Sequence, residues 1–345
     1  MAVIARAPLR LGLAGGGTDL PEYADIYGGL VISTTIDRYV YVIVTEAPSD
    51  VLQVTASDAS SVLSRRDHLF DTALFWGADY RLPLEILEHF GVHGGRRVFI
   101  ASEVPPGTGL GSSSATAVAL ITALAADQGR NYTPAEAAEL ACTIEIERMG
   151  MPIGRQDQYA AAFGGLNRIT FGQGSTQLEP LTVPDAFRDG LSQRLLLFFT
   201  GQRRRSTEIL NAQRQETSRQ GSRTLQALHE IKRLAHAMQD ALCAGDLDEV
   251  GKLLDQSWHQ KRTLAPGVST SEIDHWYAEA RAVGAQGGKI TGAGGGGFLL
   301  LYVIPELRPR VIQRMSEFGL VWVDTDLECE GARTILADRT PAFVA

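Results

Sequence analysis

A glycine-rich stretch in the middle of the chain, Pro105–Thr116, constrains the fold more than any other part of the sequence. Three glycines within five residues precede three serines and an Ala-rich pattern typical of a helix. Glycine allows positive φ and lets a ligand approach the backbone closely. The first N–H groups of a helix lack intrahelical partners and lie at the positive end of its dipole. The stretch therefore predicts an anion site, typical of a loop that holds nucleotide phosphates with a serine oxygen available to Mg²⁺. The alternative is a flexible loop with an ordinary serine N-cap.

Composition limits the classes of partner. With 345 residues, of which 44% are hydrophobic and 21% charged, we expect an ordered globular chain of two domains. Forty acidic and 32 basic residues give a formal net charge of −8, which argues against general binding to nucleic acid or to an anionic membrane. An anionic ligand would need a local site. Homo-oligomerisation is left open.

Cysteine usage and apolar patterning indicate the compartment. Cys142, Cys243 and Cys329 are far apart and form no CxxC pair, as expected of free thiols in a reducing cytoplasm. The first residues run into a strand-like pattern, and no apolar run approaches the roughly 18 residues of a membrane helix. We therefore predict a cytoplasmic protein.

Two further glycine-rich loops flank the first. Leu11–Pro21 lies at the end of a predicted strand, and Arg10 and Asp19 flank its glycines with opposite charges. It is either a mobile turn with a surface ion pair or a loop around a polyhydroxyl substrate. Lys289–Phe298 contains a literal GxGxxG but leads into a predicted strand, whereas a Rossmann fingerprint opens a helix. The chain also has no GxxxxGK[ST] and no GxSxG, which argues against a P-loop NTPase and an α/β-hydrolase.

Helix and strand signals place the remaining candidates. Strands are predicted at 2–11, 30–37, 39–46 and 51–55. A capping box from Thr133 to Glu136 predicts a helix that runs to about Met149. Near its end, Glu145 and Glu147 diverge by about 200° and cannot share one helix face. A polar stretch near 172–190 predicts the domain boundary, which we place between residues 185 and 186.

The three loops and the acidic and basic residues between them supply what phosphoryl transfer needs. Amides and hydroxyls hold phosphates, a carboxylate and a hydroxyl bind Mg²⁺, and a second carboxylate faces the attacking hydroxyl. The three loops, in this order, resemble the three motifs of the GHMP kinase superfamily: Pro105–Ala115 resembles its phosphate-binding motif and Lys289–Gly297 its glycine-rich third motif. Gly154–Asp157 adds to this signal, and the resemblance spans nearly the whole chain. It implies an α+β fold of two domains and an enzyme that uses ATP and Mg²⁺. The domains would be a ribosomal S5 domain 2-like N-terminal domain (1–185) and a ferredoxin-like C-terminal domain (186–345).

The resemblance also implies roles for single residues. Asp157 would accept or orient the proton of the substrate hydroxyl, with Arg10 supporting both Asp157 and the transferred phosphoryl group. Ser113 and Glu147 would hold Mg²⁺; Glu145 is the substitute, because Glu147 appears one residue closer to Asp157 than in mevalonate kinases. A helix-terminal carboxylate and a turn aspartate are the alternatives for Glu147 and Asp157. The nucleotide would contact the loop at Pro106, Gly107, Gly109, Leu110, Gly111, Ser112, Ser113 and Ser114.

Residues 10–21 and Tyr27-Gly28-Gly29 are most similar to the superfamily branch that phosphorylates D-glycero-D-manno-heptose 7-phosphate, and more distantly to fucose kinases. That branch phosphorylates the anomeric C1 hydroxyl, and the 1,7-bisphosphate product serves nucleotide-activated heptose synthesis for capsule, S-layer or LPS glycans. The expected partner is a small sugar phosphate. The substrate contacts implied are Gly16, Gly17, Thr18, Asp19, Gln156, Arg203, Arg204, Arg205, Gly294 and Gly295. For the three arginines, an exposed run without a ligand is the alternative.

Other functions stay open at this point. They are a fucose- or mevalonate-type kinase, a sensor that binds ATP and sugar without turnover, and a decarboxylase with a phosphorylated intermediate. Galactokinases carry Glu-His-Thr-Asp where this chain has Gly16-Gly17-Thr18-Asp19, which disfavours that branch. The presence of Asp157 and Glu147 argues against a sensor.

Overall fold

The computed structural model describes residues 2–57, 62–65, 80–202 and 206–338. The strands of these ranges are β1 (Ala2–Ala14), β2 (Gly29–Glu46), β3 (Leu52–Ala56), β4 (Val62–Arg65), β5 (Arg96–Ser102), β6 (Asn167–Gly172), β7 (Ser175–Pro180), β8 (Leu195–Phe199), β9 (Ala285–Ile290), β10 (Phe298–Val303), β11 (Val321–Val323), β12 (Leu327–Glu328) and β13 (Arg333–Asp338). The α-helices are α1 (Pro21–Tyr27), α2 (Arg81–His89), α3 (Ser112–Asp127), α4 (Pro134–Cys142), α5 (Gln156–Phe163), α6 (Asp185–Ser192), α7 (Ser206–Thr217), α8 (Arg223–Ala244), α9 (Leu247–Lys261), α10 (Ser271–Ala282) and α11 (Arg308–Glu317).

The larger sheet is built around two long antiparallel strands, β1 and β2. Its order is β13-β1-β2-β5-β3-β4, and β6, β7 and β12 extend it along β2. At its start β1 alternates between half-buried and buried residues, but from Ala7 to Arg10 every residue is buried. There helix α3, a run of small and aliphatic residues buried on nearly every side, packs on the sheet. The end of β1 is therefore held rigidly where Arg10 leads into the first glycine-rich loop.

The smaller sheet has the order β11-β8-β10-β9 and is antiparallel throughout. Strand β10 is fully buried, and its alternate residues belong to two cores. Phe298, Leu300 and Tyr302 join the large core shared with the first sheet, whereas Leu299 and Leu301 face a second core with α10 and α11. Burial on both faces explains why β10 reads as a continuous apolar run.

The end of the described chain returns to the first sheet. Strand β12 pairs with β2, and β13 pairs with β1 from Ala2 to Arg6. The C-terminal domain predicted at residues 186–345 stays a prediction, and the last described strands of that range belong to the first sheet. The boundary between residues 185 and 186 stays a prediction.

Several local predictions are confirmed. The capping box at Thr133 and Glu136 is present, and the two predicted strands at 30–37 and 39–46 form the single strand β2. The helix predicted to reach Met149 instead changes at Thr143 into a π-helix, Thr143–Arg148. No helix in the described part of the chain is long and apolar enough to cross a membrane.

Candidate active site

A cleft between the two sheets brings the three glycine-rich loops together. Residues from each loop line it, with Arg10, Asp157 and Gln156 on one side. The loops meet through glycines: a Cβ on Gly109 would lie 2.7 Å from the Thr291 carbonyl oxygen, and one on Gly292 would lie 2.5 Å from the Gly109 Cα. The Thr291 hydroxyl also donates to the Thr108 carbonyl at 3.1 Å. Direct backbone packing therefore joins the central loop to the late one.

Helix α3 begins without a side-chain cap. Its N-cap is Gly111, in the left-handed region at φ 77°, and no side chain accepts from the first turn. The N–H groups at this end of the helix therefore lack the capping acceptor that a serine N-cap would supply, which excludes the ordinary serine cap. Predicted nucleotide contacts that line the cleft are Gly107, Gly109, Gly111, Ser112, Ser113 and Ser114.

Two predicted nucleotide contacts do not line the cleft. Leu110 is fully buried, and its carbonyl accepts from the Arg10 backbone N–H at 3.0 Å. Pro106, at the start of the same loop, is exposed. Leu110 therefore anchors the loop to β1 and is not available to a nucleotide.

Arg10 and Asp157 form the pair that the sequence suggested. Arg10 is buried at the end of β1, and its Nε and NH2 groups donate to the two Asp157 oxygens, each at 2.7 Å. Its NH1 group donates to the Gly109 carbonyl at 2.6 Å. Asp157, in the first turn of α5, keeps about a quarter of its side chain exposed toward the cleft. A bidentate guanidinium pair fixes the carboxylate plane, so Asp157 is held in one orientation beside the phosphate loop.

Glu145, rather than Glu147, meets the serines. Glu145 is completely buried and accepts from the Ser113 hydroxyl at 2.7 Å, the Ser114 hydroxyl at 2.8 Å and the Gln158 amide at 2.6 Å. Burial raises the pKa of Glu145, although these three hydrogen bonds oppose the shift. Glu147 is exposed.

The structure therefore places Glu145, the substitute, beside Ser113 in the position expected of Glu147, and the identity of the metal ligand stays a prediction. The two residues diverge on the helix, and the π-helix at Thr143–Arg148 fixes the register in which Glu145 points inward. A single π-helical turn of this kind often marks a functional site.

The first glycine-rich loop presents Asp19 to the cleft. Asp19 is buried and accepts from the Gly17 N–H at 3.1 Å. Burial and the neighbouring Asp157 raise its pKa, against hydrogen bonds from Gln156 and Gly17. A Cβ on Gly154 would lie 1.9 Å from an Asp19 carboxylate oxygen. Glycine at position 154 is therefore required for Asp19 to stay where it is.

Five predicted substrate contacts either lie away from the cleft or fall outside the described residues. Thr18 is fully buried, and its hydroxyl bonds the Gly15 carbonyl and both backbone groups of Leu30, so it shapes the loop from behind. Gly295 donates its N–H to the Val268 carbonyl and does not line the cleft, whereas Gly294 does. Arg203–Arg205 lie outside the described residues.

Further polar and charged side chains line the cleft beside the predicted contacts. Lys261 at the end of α9 and Lys289 in β9 both line the cleft, as does Gln213 in α7. Gln213 is buried, and its amide nitrogen is without a hydrogen-bond partner in the described chain. Lys289 opened the third motif, and Lys261 follows a clear helical pattern. Neither pattern shows that the side chain turns inward.

Comparisons with known proteins agree with this geometry. Residues 80–165 match the model of the GHMP kinases N terminal domain, and residues 238–319 match that of the GHMP kinases C terminal. D-glycero-alpha-D-manno-heptose 7-phosphate kinase from Campylobacter jejuni is 32% identical over 90% of this chain and 92% of its own length. The chain belongs to the GHMP kinase family. As a GHMP kinase, it is a phosphotransferase with an alcohol group as acceptor, in a family that uses ATP as co-substrate.

Other relatives show the breadth of the family. The structure of a D-glycero-D-manno-heptose 1-phosphate kinase from Bacteroides thetaiotaomicron superposes with a TM-score of 0.79 at 27% identity, covering 97% of this chain and 99% of the other. A mevalonate kinase from Thermococcus sibiricus is 27% identical over 96% of this chain and 98% of its own. The two-domain GHMP kinase fold predicted from the sequence is confirmed.

Proposed function

We propose that this GHMP kinase transfers the γ-phosphoryl group of ATP to the anomeric hydroxyl of D-glycero-D-manno-heptose 7-phosphate, giving the 1,7-bisphosphate for nucleotide-activated heptose synthesis. The observation that carries the proposal is the Arg10–Asp157 pair, which faces the uncapped start of α3 across one cleft. The 32% identical relative supports the choice of sugar.

The phosphate end of the cleft suits a nucleotide with Mg²⁺. Mg²⁺ binds oxygen ligands, commonly one or two carboxylates together with phosphate oxygens. The Ser113 hydroxyl and a Glu145 oxygen lie 2.7 Å apart and offer such a pair. The described residues contain no cluster of three or more His, Cys, Asp or Glu side chains able to hold a metal. Nucleotide phosphates would therefore have to complete the coordination, and Mg²⁺ would neutralise charge on them.

The acceptor end suits a sugar hydroxyl. Asp157 is held by Arg10 and exposed to the cleft, so it can take the proton from the attacking hydroxyl. Asp19, the backbone of Gly16 and the unpartnered amide of Gln213 offer an acceptor and donors to the remaining hydroxyls. We retain Arg203–Arg205 as the proposed site of the sugar's own phosphate, because guanidinium groups bind phosphate in a bidentate manner.

Two further aspects complete the proposal. The complete Arg10–Asp157 pair favours turnover over a sensor that only binds.

Cys142, Cys243 and Cys329 are free, which supports the predicted cytoplasmic location because free thiols persist in a reducing compartment.

A panel of acceptors tests the proposal. ADP release is measured with ATP and D-glycero-D-manno-heptose 7-phosphate, the corresponding 1-phosphate, fucose, galactose and mevalonate, and the product is identified by phosphorus NMR. We expect turnover with the 7-phosphate and a new anomeric phosphate resonance. Preference for the 1-phosphate, for fucose or for mevalonate would replace the proposed substrate. Nucleotide binding without ADP release from any acceptor would favour the sensor, and CO₂ release would mark a decarboxylase.

A further inference from the structure

Two lysine ammonium groups in the cleft lack acidic partners. Lys289 is buried, and its Nζ donates to the Gly12 carbonyl at 2.5 Å. Lys261 is half-buried, and its ammonium group is on the buried side. This group donates to the Ile290 carbonyl at 2.9 Å and to the Gly292 carbonyl. Neither lysine forms a salt bridge within the described ranges 2–57, 62–65, 80–202 and 206–338. A buried charge is costly unless it is paired, so a bound anion would stabilise both ammonium groups.

The charges around the two lysines strengthen this point. Burial and Arg10 lower the pKa of Lys289 to about 7. Burial, Lys289 and Arg10 lower the pKa of Lys261 well below its usual value, and Asp157 opposes that shift only as the smallest contribution. The Asp157 carboxylate is already paired with Arg10 at two oxygens. The lysines therefore repel each other and Arg10, and a bound anion would relieve this repulsion.

Their carbonyl partners locate the two groups between the reacting ends of the cleft. Gly292, bonded by Lys261, packs on Gly109 of the phosphate loop. Gly12, bonded by Lys289, lies beside Gln156, the residue before Asp157. Each lysine is therefore bonded to a backbone carbonyl next to one of the two reacting ends, the phosphate loop or the segment that carries Asp157.

We propose that Lys261 and Lys289 are catalytic residues that contact the γ-phosphoryl group during its transfer. The inference rests on the proposed kinase reaction. In that step the sugar oxygen forms a bond to the γ-phosphorus while the bond from phosphorus to the β,γ-bridging oxygen breaks. The bridging oxygen keeps the electron pair in ADP, and the hydroxyl proton passes to Asp157. Fixed cations beside the equatorial oxygens lower the energy of the charge that spreads over them.

The main alternative is that the lysines bind the phosphate that the sugar already carries. Their position beside Asp157, Arg10 and the phosphate loop favours the transferred group, because the sugar's own phosphate is at the far end of the substrate from the reacting hydroxyl. The two cases differ in kinetics. Cations at the transferred group act on kcat, whereas cations at the sugar phosphate act mainly on KM.

The experiment compares wild type with Lys261→Met, Lys289→Met and the exposed control Lys252→Met, whose ammonium pairs with Glu249 on the surface of α9. Steady-state kinetics use whichever acceptor the wild type accepts. Titration calorimetry measures the affinity for ADP alone and for ADP with aluminium fluoride, a mimic of the transferring group, in the presence of Mg²⁺ and that acceptor. Thermal unfolding checks that each variant is folded. Lys261→Gln and Lys289→Gln, which keep a donor for the carbonyls, replace any Met variant that fails to fold.

We expect each cleft variant to lower kcat about 10²- to 10³-fold, with the sugar KM changed less than about 3-fold. The affinity for ADP with aluminium fluoride should fall at least about tenfold, whereas the affinity for ADP alone should equal that of wild type. An unchanged kcat would overturn the proposal. A sugar KM raised more than about tenfold at constant kcat would overturn it as well and assign the lysines to the sugar phosphate. If the wild type accepts a different alcohol, the heptose assignment fails, while the lysine test proceeds with that alcohol.

Discussion

Replacing Lys289 by methionine should change how the stability of the ligand-free protein depends on pH. In the folded state burial and Arg10 hold the pKa of Lys289 at about 7, compared with 10.5 for a free lysine. Between these values the unfolded chain binds more protons than the folded chain, so the free energy of unfolding rises with pH through this window. The full shift is equivalent to about 5 kcal/mol when the lysine is charged, of which about 3 kcal/mol falls between pH 6 and pH 9.

The variant lacks this contribution. Near pH 6 it should therefore be more stable than wild type, and the difference between their free energies of unfolding should shrink by about 3 kcal/mol between pH 6 and pH 9. Lys261 adds to the effect in the same direction, because its pKa is depressed partly by Lys289. Urea unfolding followed by tryptophan fluorescence at pH 6, 7, 8 and 9 measures the difference. Lys252→Met serves as the control and should follow the wild-type profile. A difference between wild type and Lys289→Met that stays constant across this range would refute the reasoning.

Three further changes test the site. Asp157→Asn should lower kcat by about 10²- to 10⁴-fold with little change in ATP binding; wild-type kcat in this variant would remove Asp157 from proton transfer. Glu145→Gln should raise the Mg²⁺ concentration for half-maximal rate at least about tenfold, whereas Glu147→Gln should leave it unchanged; the reverse result would restore Glu147 as the ligand. Gly154→Ala places a methyl group 1.9 Å from an Asp19 oxygen, so the sugar KM should rise at least about tenfold while the ATP KM stays within about twofold. Equal effects on both KM values would show a general distortion of the cleft.

Local chemistry made much of the fold predictable. Thr133 and Glu136 satisfy each other's backbone at the start of α4, and such a cap depends on four neighbouring residues. Likewise, the continuous apolar pattern of β10 follows from burial on both faces. The pairing of β13 with β1 depends on contacts between residues at opposite ends of the described chain, and no local pattern encodes it.

The site was predictable where glycine spacing carried the signal. The loop before α3 and the Arg10–Asp157 pair could be anticipated, whereas the choice between Glu145 and Glu147 depended on the π-helical register. A π-helical turn is set by tertiary packing, so helical spacing shows that the two carboxylates diverge but does not show which of them faces the serines. The preference for Glu147 rested on the family resemblance. The inward orientation of Lys261 and Lys289 is not encoded by spacing either, since a charged residue is usually solvated and only the folded cleft shows these two side chains turned inward.

The pairing of β1 with β13 has a consequence for biosynthesis. The register joins Ala2 to Asp338 and Arg6 to Arg333, so β1 leaves the ribosome long before β13, the strand that completes this part of the sheet. Until then one edge of β1 exposes unpaired backbone groups, which can pair with another chain. Arg10, on the same strand, reaches its partner Asp157 much earlier in synthesis. The Arg10–Asp157 pair can therefore assemble on the nascent chain well before β13 has been synthesised.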